Sequence, residues 1–304
     1  MYGLEQWAKT GDTKMKTDEP FYNWFVLSTI IPNSKALKRL FNACGSSAEI
    51  ISQNLSRTNL QKEYDDARDV EQICLDENIT TITLEDPNYP WKLKQILDPP
   101  AIIYVRGKEP AQNEPMIAVV GSRKASEYML SQAKGIAKII AERGITVISG
   151  MARGSDMAAH KGALYAKKRT IAVLGESLTF KKKKEARTTI DEILENNGCI
   201  ISEVQPWGNY GPGRHNVHLI QRNRITTALS DTVIITECDE KSGTMHAVKS
   251  ATEQGKPIYA IPPVQNESNF YSHMIYLQQK GKLQFLEKGI REQIFLSVNR
   301  NCRA

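Results

Sequence analysis

A chain of 304 residues, 40% of them apolar, is long enough for one large core or for two to three smaller ones. Its 40 basic and 34 acidic side chains leave a formal charge of +6, which admits an anionic partner without requiring one. The five cysteines (Cys44, Cys74, Cys199, Cys238 and Cys302) form no CxxC pair and are odd in number, which argues against a disulfide framework and against zinc. No apolar run approaches the roughly 20 residues of a spanning helix. No signal-peptide core opens the chain, so a soluble cytoplasmic protein is expected.

Residues 1–20 are polar and mixed in charge and read as frayed. The stretch FYNWFVLSTI and the following SKALKRLFNACGSSAEIISQ have helical spacing, with Leu37, Leu40 and Phe41 at i, i+3, i+4. DDARDVEQICLDENI predicts another helix with Ala67, Val70 and Cys74 on one face. Residues 1–78 therefore read as a small helical domain. Residues 79–107 have β-rich ends and carry Pro87, Pro90, Pro99 and Pro100, which exclude a long helix and suggest an extended connector leading into a strand.

From 116 to 262 short Val- and Ile-rich runs alternate with amphipathic stretches. The runs are MIAVVG, ITVISG, RTIAVLG, GCIISEV, DTVIITE and KPIYAIP. Ala133, Ile136, Ala137 and Ile140 mark the buried side of the first intervening helix. Continuous apolar strands alternating with helices predict an α/β, Rossmann-like, doubly wound and mostly parallel sheet covered on both faces, spanning 79–265. In the last segment, 266–304, YSHMIYLQQKG predicts a helix and KLQFL a strand, too little for another full domain. The basic run KKKKEAR at 181–187 reads as a solvated loop.

Ligands of open α/β sheets sit at the carboxyl ends of the strands, so the residues there carry the functional reading. Gly121-Ser122-Arg123 ends the first Val-rich strand, and the next helix starts near Ser126. A helix N-terminus attracts phosphate through its unpaired N–H groups and its dipole. Gly121 would let the backbone approach closely, Ser122 and Ser126 would add hydroxyls, and Arg123 could bridge two phosphate oxygens. Ser149-Gly150 ends the next strand and Arg153-Gly154-Ser155-Asp156 opens the following helix, with His160, read as structural, and Lys161, within reach of a phosphate, one turn on. Trp207 and Tyr210, in a Gly- and Pro-rich segment, could stack on bases. Arg222 and Arg224 are two apart and point differently; one could grip an anion while the other pairs with Glu203 or Asp156. His215 and His218 have loose metal spacing with no third ligand, so no metal is expected. Ser242-Gly243-Thr244 forms another strand-to-helix turn of anion-binding type.

A coenzyme fits poorly, because the first strand is not followed by GxGxxG and the second does not end in an acid. No Walker-type GxxxxGK motif is present either, and no Gly-x-Ser-x-Gly or activated cysteine. No cofactor is expected. Several phosphate grips in a row suit a polyanion better than one nucleotide.

The segments DPNYPWKLKQILDPPAIIYVRG, AVVGSRKASEYML, ITVISGMARGSDMAAHKGAL, RTIAVLG, ISEV, QRNRITTALSDTVIITE and SGTMHAV, in order across 86–262, resemble the DprA/Smf family of DNA-processing proteins of bacterial transformation. The resemblance implies an extended Rossmann fold with a sterile-alpha-motif-like helical domain at the N-terminus. It implies single-stranded DNA binding without catalysis, loading of the RecA recombinase, and homodimers. By matching motif, Ser122, Arg123 and Ser126 would bind DNA phosphate, and Arg153 and Lys161 would line the same groove. Arg222, Asn223 and Arg224 would lie near it, and Gly243 and Thr244 would close the pocket. The chain departs from the family in Ser155, where isoleucine is usual, and in ESLTFKKKKEAR, which replaces a loop with Cys-Gly and Tyr-Pro. Leu219-Ile220-Gln221 stand where Phe-Pro often precedes Arg-Asn-Arg, and no full winged helix follows 265. These departures bear on RecA contact and dimer geometry more than on fold. Two alternatives share the superfamily, a sensor of a small nucleotide and a nucleoside-monophosphate phosphoribohydrolase. The latter's motif carries a glutamate three positions after Gly-Thr, where this chain has Ala247.

Overall fold

The computed structural model describes residues 19–55, 60–180, 184–206 and 214–287, and for 214–216 the backbone alone. Helices α1 (Pro20–Ile30), α2 (Ser34–Cys44), α3 (Ser47–Asn54) and α4 (Gln61–Asp76) come first. Proline at the start of α1 costs no hydrogen bond there, because first-turn N–H groups have no intrahelical partner. Trp24, Phe25, Val26 and Leu27 are all buried, so α1 is enclosed on every side. The stretch of helical spacing from 34 to 53 is two helices. Gly45, at φ +86°, ends α2 in the left-handed conformation, and the Ser46 hydroxyl caps α3 by accepting from Glu49 N–H. Tyr64, Ala67, Val70 and Cys74 form the buried face of α4.

The connector holds β1 (Thr80–Thr83), the one-turn helix α5 (Trp91–Gln95) and β2 (Ile102–Gly107). Its prolines confine helix to that single turn. Then come β3 (Met116–Val120), α6 (Glu127–Glu142), β4 (Thr146–Ser149), α7 (Ser155–Tyr165), β5 (Thr170–Leu174), α8 (Lys184–Glu195), β6 (Cys199–Ser202), α9 (Arg214–Leu229), β7 (Thr232–Ile235), α10 (Thr244–Glu253) and β8 (Ile258–Ala260). Helix α11 (Tyr271–Gln279) and strand β9 (Gln284–Phe285) follow. The nine strands form one sheet in the order β1-β2-β6-β5-β4-β3-β7-β8-β9. All six Val- and Ile-rich runs are strands, and they pair in parallel. The antiparallel pairing of β1 with β2 and of β2 with β6 was not readable from residue pattern.

Alternation along β3 shows how both faces are covered. Ile117 and Val119 pack with Met129, Ala133, Ile136, Ala137 and Ile140 under α6 and α7, whereas Ala118 and Val120 belong to the core with Ile225, Ala228 and Val248 on the opposite side. That second core runs without interruption into α1 through α4. The expected division at 78 falls in the turn between α4 and β1, and packing crosses it. Ser47 also crosses it, donating N–H and hydroxyl to Glu85 at 2.9 and 2.8 Å. The segment after 265 adds its strand β9 beside β8 in the same sheet.

Helices α6 and α7 meet at Gly162, where a Cβ would lie 2.3 Å from the Lys134 carbonyl oxygen. Gly162→Ala is therefore expected to force the helices apart and destabilise by about 1–3 kcal/mol. Gly135, mid-helix with open space around it, should respond oppositely, with Gly135→Ala stabilising by about 0.5–1 kcal/mol. Urea midpoints of the two variants check the opposite signs.

Candidate nucleic-acid interface

Strand order places the site. The chain leaves β3 toward β4, β5 and β6, then returns to the other side of β3 at β7. Loops diverge from a crevice between the ends of β3 and β7, the topological switch point where open α/β sheets bind ligands. Gly121-Ser122-Arg123 follows β3 there, and residues 236–243 follow β7.

The crevice is held open by polar groups bonded to the protein itself. Glu237, fully buried, accepts from Ser126 N–H and Phe270 N–H through its two carboxylate oxygens, each at 2.9 Å. Its carbonyl accepts from Ser122 N–H at 2.7 Å. One residue thus fixes the β3 turn, the start of α6 and the start of α11. Sequence reasoning missed Glu237, since a carboxylate after an apolar strand reads as solvent-facing. Ser126 is the N-cap of α6, its hydroxyl accepting from Met129 N–H at 3.2 Å. It does not line the crevice.

The glycines serve close approach by the protein's own atoms. A Cβ on Gly121 would lie 1.9 Å from Thr236 Oγ1 and 2.6 Å from Ser155 Oγ, two hydroxyls that are 2.6 Å apart. A Cβ on Gly150 would fall on the Arg222 guanidinium and the Asp156 carboxylate. Gly154, at φ +81°, turns the chain into α7 against the Ser122 carbonyl. At Gly243, which lines the crevice, a Cβ would by contrast meet no protein atom.

Arg222 is 6% exposed and lies on the crevice floor. Its Nη1 donates to the Val173 carbonyl at 2.8 Å, its Nη2 stands 3.7 Å from Asp156 Oδ2, and its Nε has no hydrogen-bond partner. Burial lowers the Arg222 pKa while Asp156 supports the charge, and Arg123 nearby lowers it further. Burial likewise raises the Asp156 carboxyl, opposed by Arg222. Arg224, 8% exposed, turns the other way. Its two Nη groups donate to Glu203 Oε1 and Oε2 at 2.7 and 2.6 Å, and its Nε donates to the Asp98 carbonyl at 3.0 Å. The two arginines do diverge, as their spacing predicts, but neither is left over: each has its own acid. Arg224 lines a separate cleft of about 1260 Å³ between α5 and α9–α10, outside the crevice.

Two adjoining cavities, of about 840 and 620 Å³, occupy the strand ends and share Arg123, Ala152, Leu219 and Arg222. The first brings together Gly121, Ser122, Arg123, Asn223, Ser242, Gly243 and Thr244. Asn223 Nδ2 donates to the Gly243 carbonyl across its mouth at 3.1 Å. The second adds Arg153 and Glu176. Arg123 and Arg153 are exposed cations on this rim. Lys161 lines neither cavity; it sits farther along α7, its Nζ 3.0 Å from Glu185 Oε1. Trp207, Tyr210 and the His215 side chain lie outside the described residues. The arrangement can hold an anion by guanidinium and backbone contacts, with a buried cation beneath.

His160 is fully buried and structural, as read. Nε2 donates to the Gly150 carbonyl at 2.6 Å, and Nδ1 lies 2.9 Å from Thr170 Oγ1. Burial pushes its pKa from 6.5 down to about 4. The unfolded chain then binds the extra proton between those values, so stability present above 6.5 is lost as pH falls toward 4. Denaturation midpoints across that range should show the loss, and His160→Gln should flatten the profile there. Glu237→Ala leaves two partly buried N–H groups without their acceptor and should destabilise by about 1–3 kcal/mol, read by chemical denaturation.

Residues 80–291 match the family described as DNA recombination-mediator protein A. The DNA processing protein DprA of Streptococcus pneumoniae is 34% identical over 186 residues, 60% of this chain and 62% of that protein. Protein Smf of Escherichia coli is 34% identical over 207 residues, 64% of this chain and 54% of Smf. The chain thus spans a little over half the length of these relatives. A solved structure of DNA processing protein A from Helicobacter pylori, described for its unique single-stranded DNA binding mode, superimposes with TM-score 0.60 at 28% identity, covering 73% of this chain and 96% of that one. The structure of DprA from Streptococcus pneumoniae gives TM-score 0.64 at 24% identity, over 90% and 92% of the two chains, and supports the fold. With the match covering most of the chain, this protein belongs to the DNA recombination-mediator protein A family.

Proposed function

We propose that this chain binds single-stranded DNA by its phosphates at the β3–β7 crevice and processes it without cleaving it, handing the strand to the RecA recombinase. The observation that carries this reading is the placing of Arg123, Arg153 and the Ser242–Thr244 turn around two connected cavities at one sheet edge, above buried Arg222. A row of separate grips matches a chain of phosphates, and the Helicobacter pylori relative described as binding single-stranded DNA supports the same ligand. The site is read as binding rather than hydrolytic because Ala247, where the phosphoribohydrolase motif carries its glutamate, lines the cavity. Homodimer formation and a cytoplasmic setting belong to the same proposal. No helix among the described residues is long and apolar enough to cross a membrane.

Fluorescence anisotropy with labelled oligonucleotides at several salt concentrations tests the reading. The log–log slope should be about −0.7 per phosphate neutralised. Arg123→Ala, at an exposed position, should weaken binding by about 1–3 kcal/mol with folding intact. A salt-independent affinity, or an unchanged dissociation constant in the variant, would contradict it.

A further inference from the structure

Helix α7 starts at the rim and runs away from it. Gly154, Ala158, Lys161 and Tyr165 are spaced four, three and four apart, so they share one stripe along its outer face. Arg153, two residues before α7, lines the second cavity, and Lys161 lies about 9 Å along the axis from the first residue of α7 at 1.5 Å per residue. Both cations flank Glu185 of α8. Lys161 binds it at 3.0 Å, and Arg153 and Lys161 together hold its carboxyl below the usual range, chiefly through the Lys161 hydrogen bond. Tyr165 ends the stripe and is 67% exposed. Lys134 of α6 stands 5.2 Å from its ring centroid, brought there by the close helix approach at Gly162. Lys168 is exposed in the next turn. On α6, Glu142 pairs with Lys138 and Glu127 lies at the far end of the helix; on α8 Glu185 pairs with Lys161, and Asp191, Glu192 and Glu195 are exposed farther along.

We propose that this stripe is a second binding segment for single-stranded nucleic acid, in which Tyr165 stacks a base while Lys161 and Lys134 hold the flanking phosphates. It rests on the reading of the crevice as a single-strand site and extends that site beyond the cavities. A ring left in water contributes little to folding, yet it offers a flat apolar face beside cations, the combination that binds unpaired bases without regard to sequence. The Lys161–Glu185 pair is exposed on both sides, so its attraction is small and a phosphate can replace the carboxylate. Glu185 thereby acts as a competitor that weakens occupancy of the stripe.

Anisotropy titrations with oligothymidylates of about six and about twenty nucleotides, lengths bracketing common single-strand site sizes, separate the two segments. The wild-type protein is expected to bind both and to hold the longer one more tightly. Tyr165→Ala should weaken the longer oligonucleotide about fivefold or more and leave the shorter unchanged, matching the loss of one stacked base. Tyr165→Phe should retain wild-type affinity, and Glu185→Gln should tighten the longer one only. If the wild type binds the short oligonucleotide but Tyr165→Ala leaves both affinities unchanged, or weakens both equally, the stripe is overturned and the crevice stands. If the wild type binds neither length, the crevice reading fails and the stripe falls with it.

Discussion

The buried contact of Arg222 with Asp156 ties the site together. It joins α9 to the first turn of α7, and it fits only because Gly150, at the end of β4, has no side chain. Removing two charges from water is costly, and the 3.7 Å separation together with the Val173 carbonyl meets that cost only in part. What the pair supplies is position: a permanent cation under the crevice floor, with one N–H unbonded. Arg123 and Arg153 can then stay in solvent at the rim, where a guanidinium is free to bind an incoming anion.

Around that floor, the loops are held by groups that look at first like ligand contacts. Ser126 caps α6, Ser122 bonds the carbonyl of Glu237, and the Gly121 gap is filled by Thr236 and Ser155. The turns are therefore held by the protein's own hydrogen bonds without any ligand, an arrangement that lowers the ordering cost of binding. Gly243 differs, because its missing side chain faces empty space within the crevice.

The sheet was legible because its strands are short Val- and Ile-rich runs bounded by small residues, and the face of α6 because Ala133, Ile136, Ala137 and Ile140 keep helical spacing. The break between α2 and α3 was marked by Gly45-Ser46, yet apolar spacing continues across it. The antiparallel edge escaped because β1 and β2 pair across a proline-rich connector whose register no local pattern encodes. In the site, Arg123 and the Ser242–Thr244 turn were visible from their places at strand ends. The fates of Arg222 and Arg224 were not. Two-residue spacing separates their directions, but which acid each meets depends on how α9 packs, and it packs with its Leu219 backbone against Gly175, a Cβ of which would lie 2.7 Å from Leu219 Cα. Glu237 was invisible for the same reason, since both its partners come from distant segments.

The central claim is that the switch-point crevice, and not the larger cleft beside Arg224, receives the phosphates. A crystal structure of the protein with a bound oligonucleotide tests it most directly. The account predicts a phosphate within hydrogen-bond distance of the Arg123 guanidinium, between the turns at 121–124 and 242–244. A strand lying instead in the cleft lined by Lys92, Arg224 and Lys249, with the crevice empty, would contradict it.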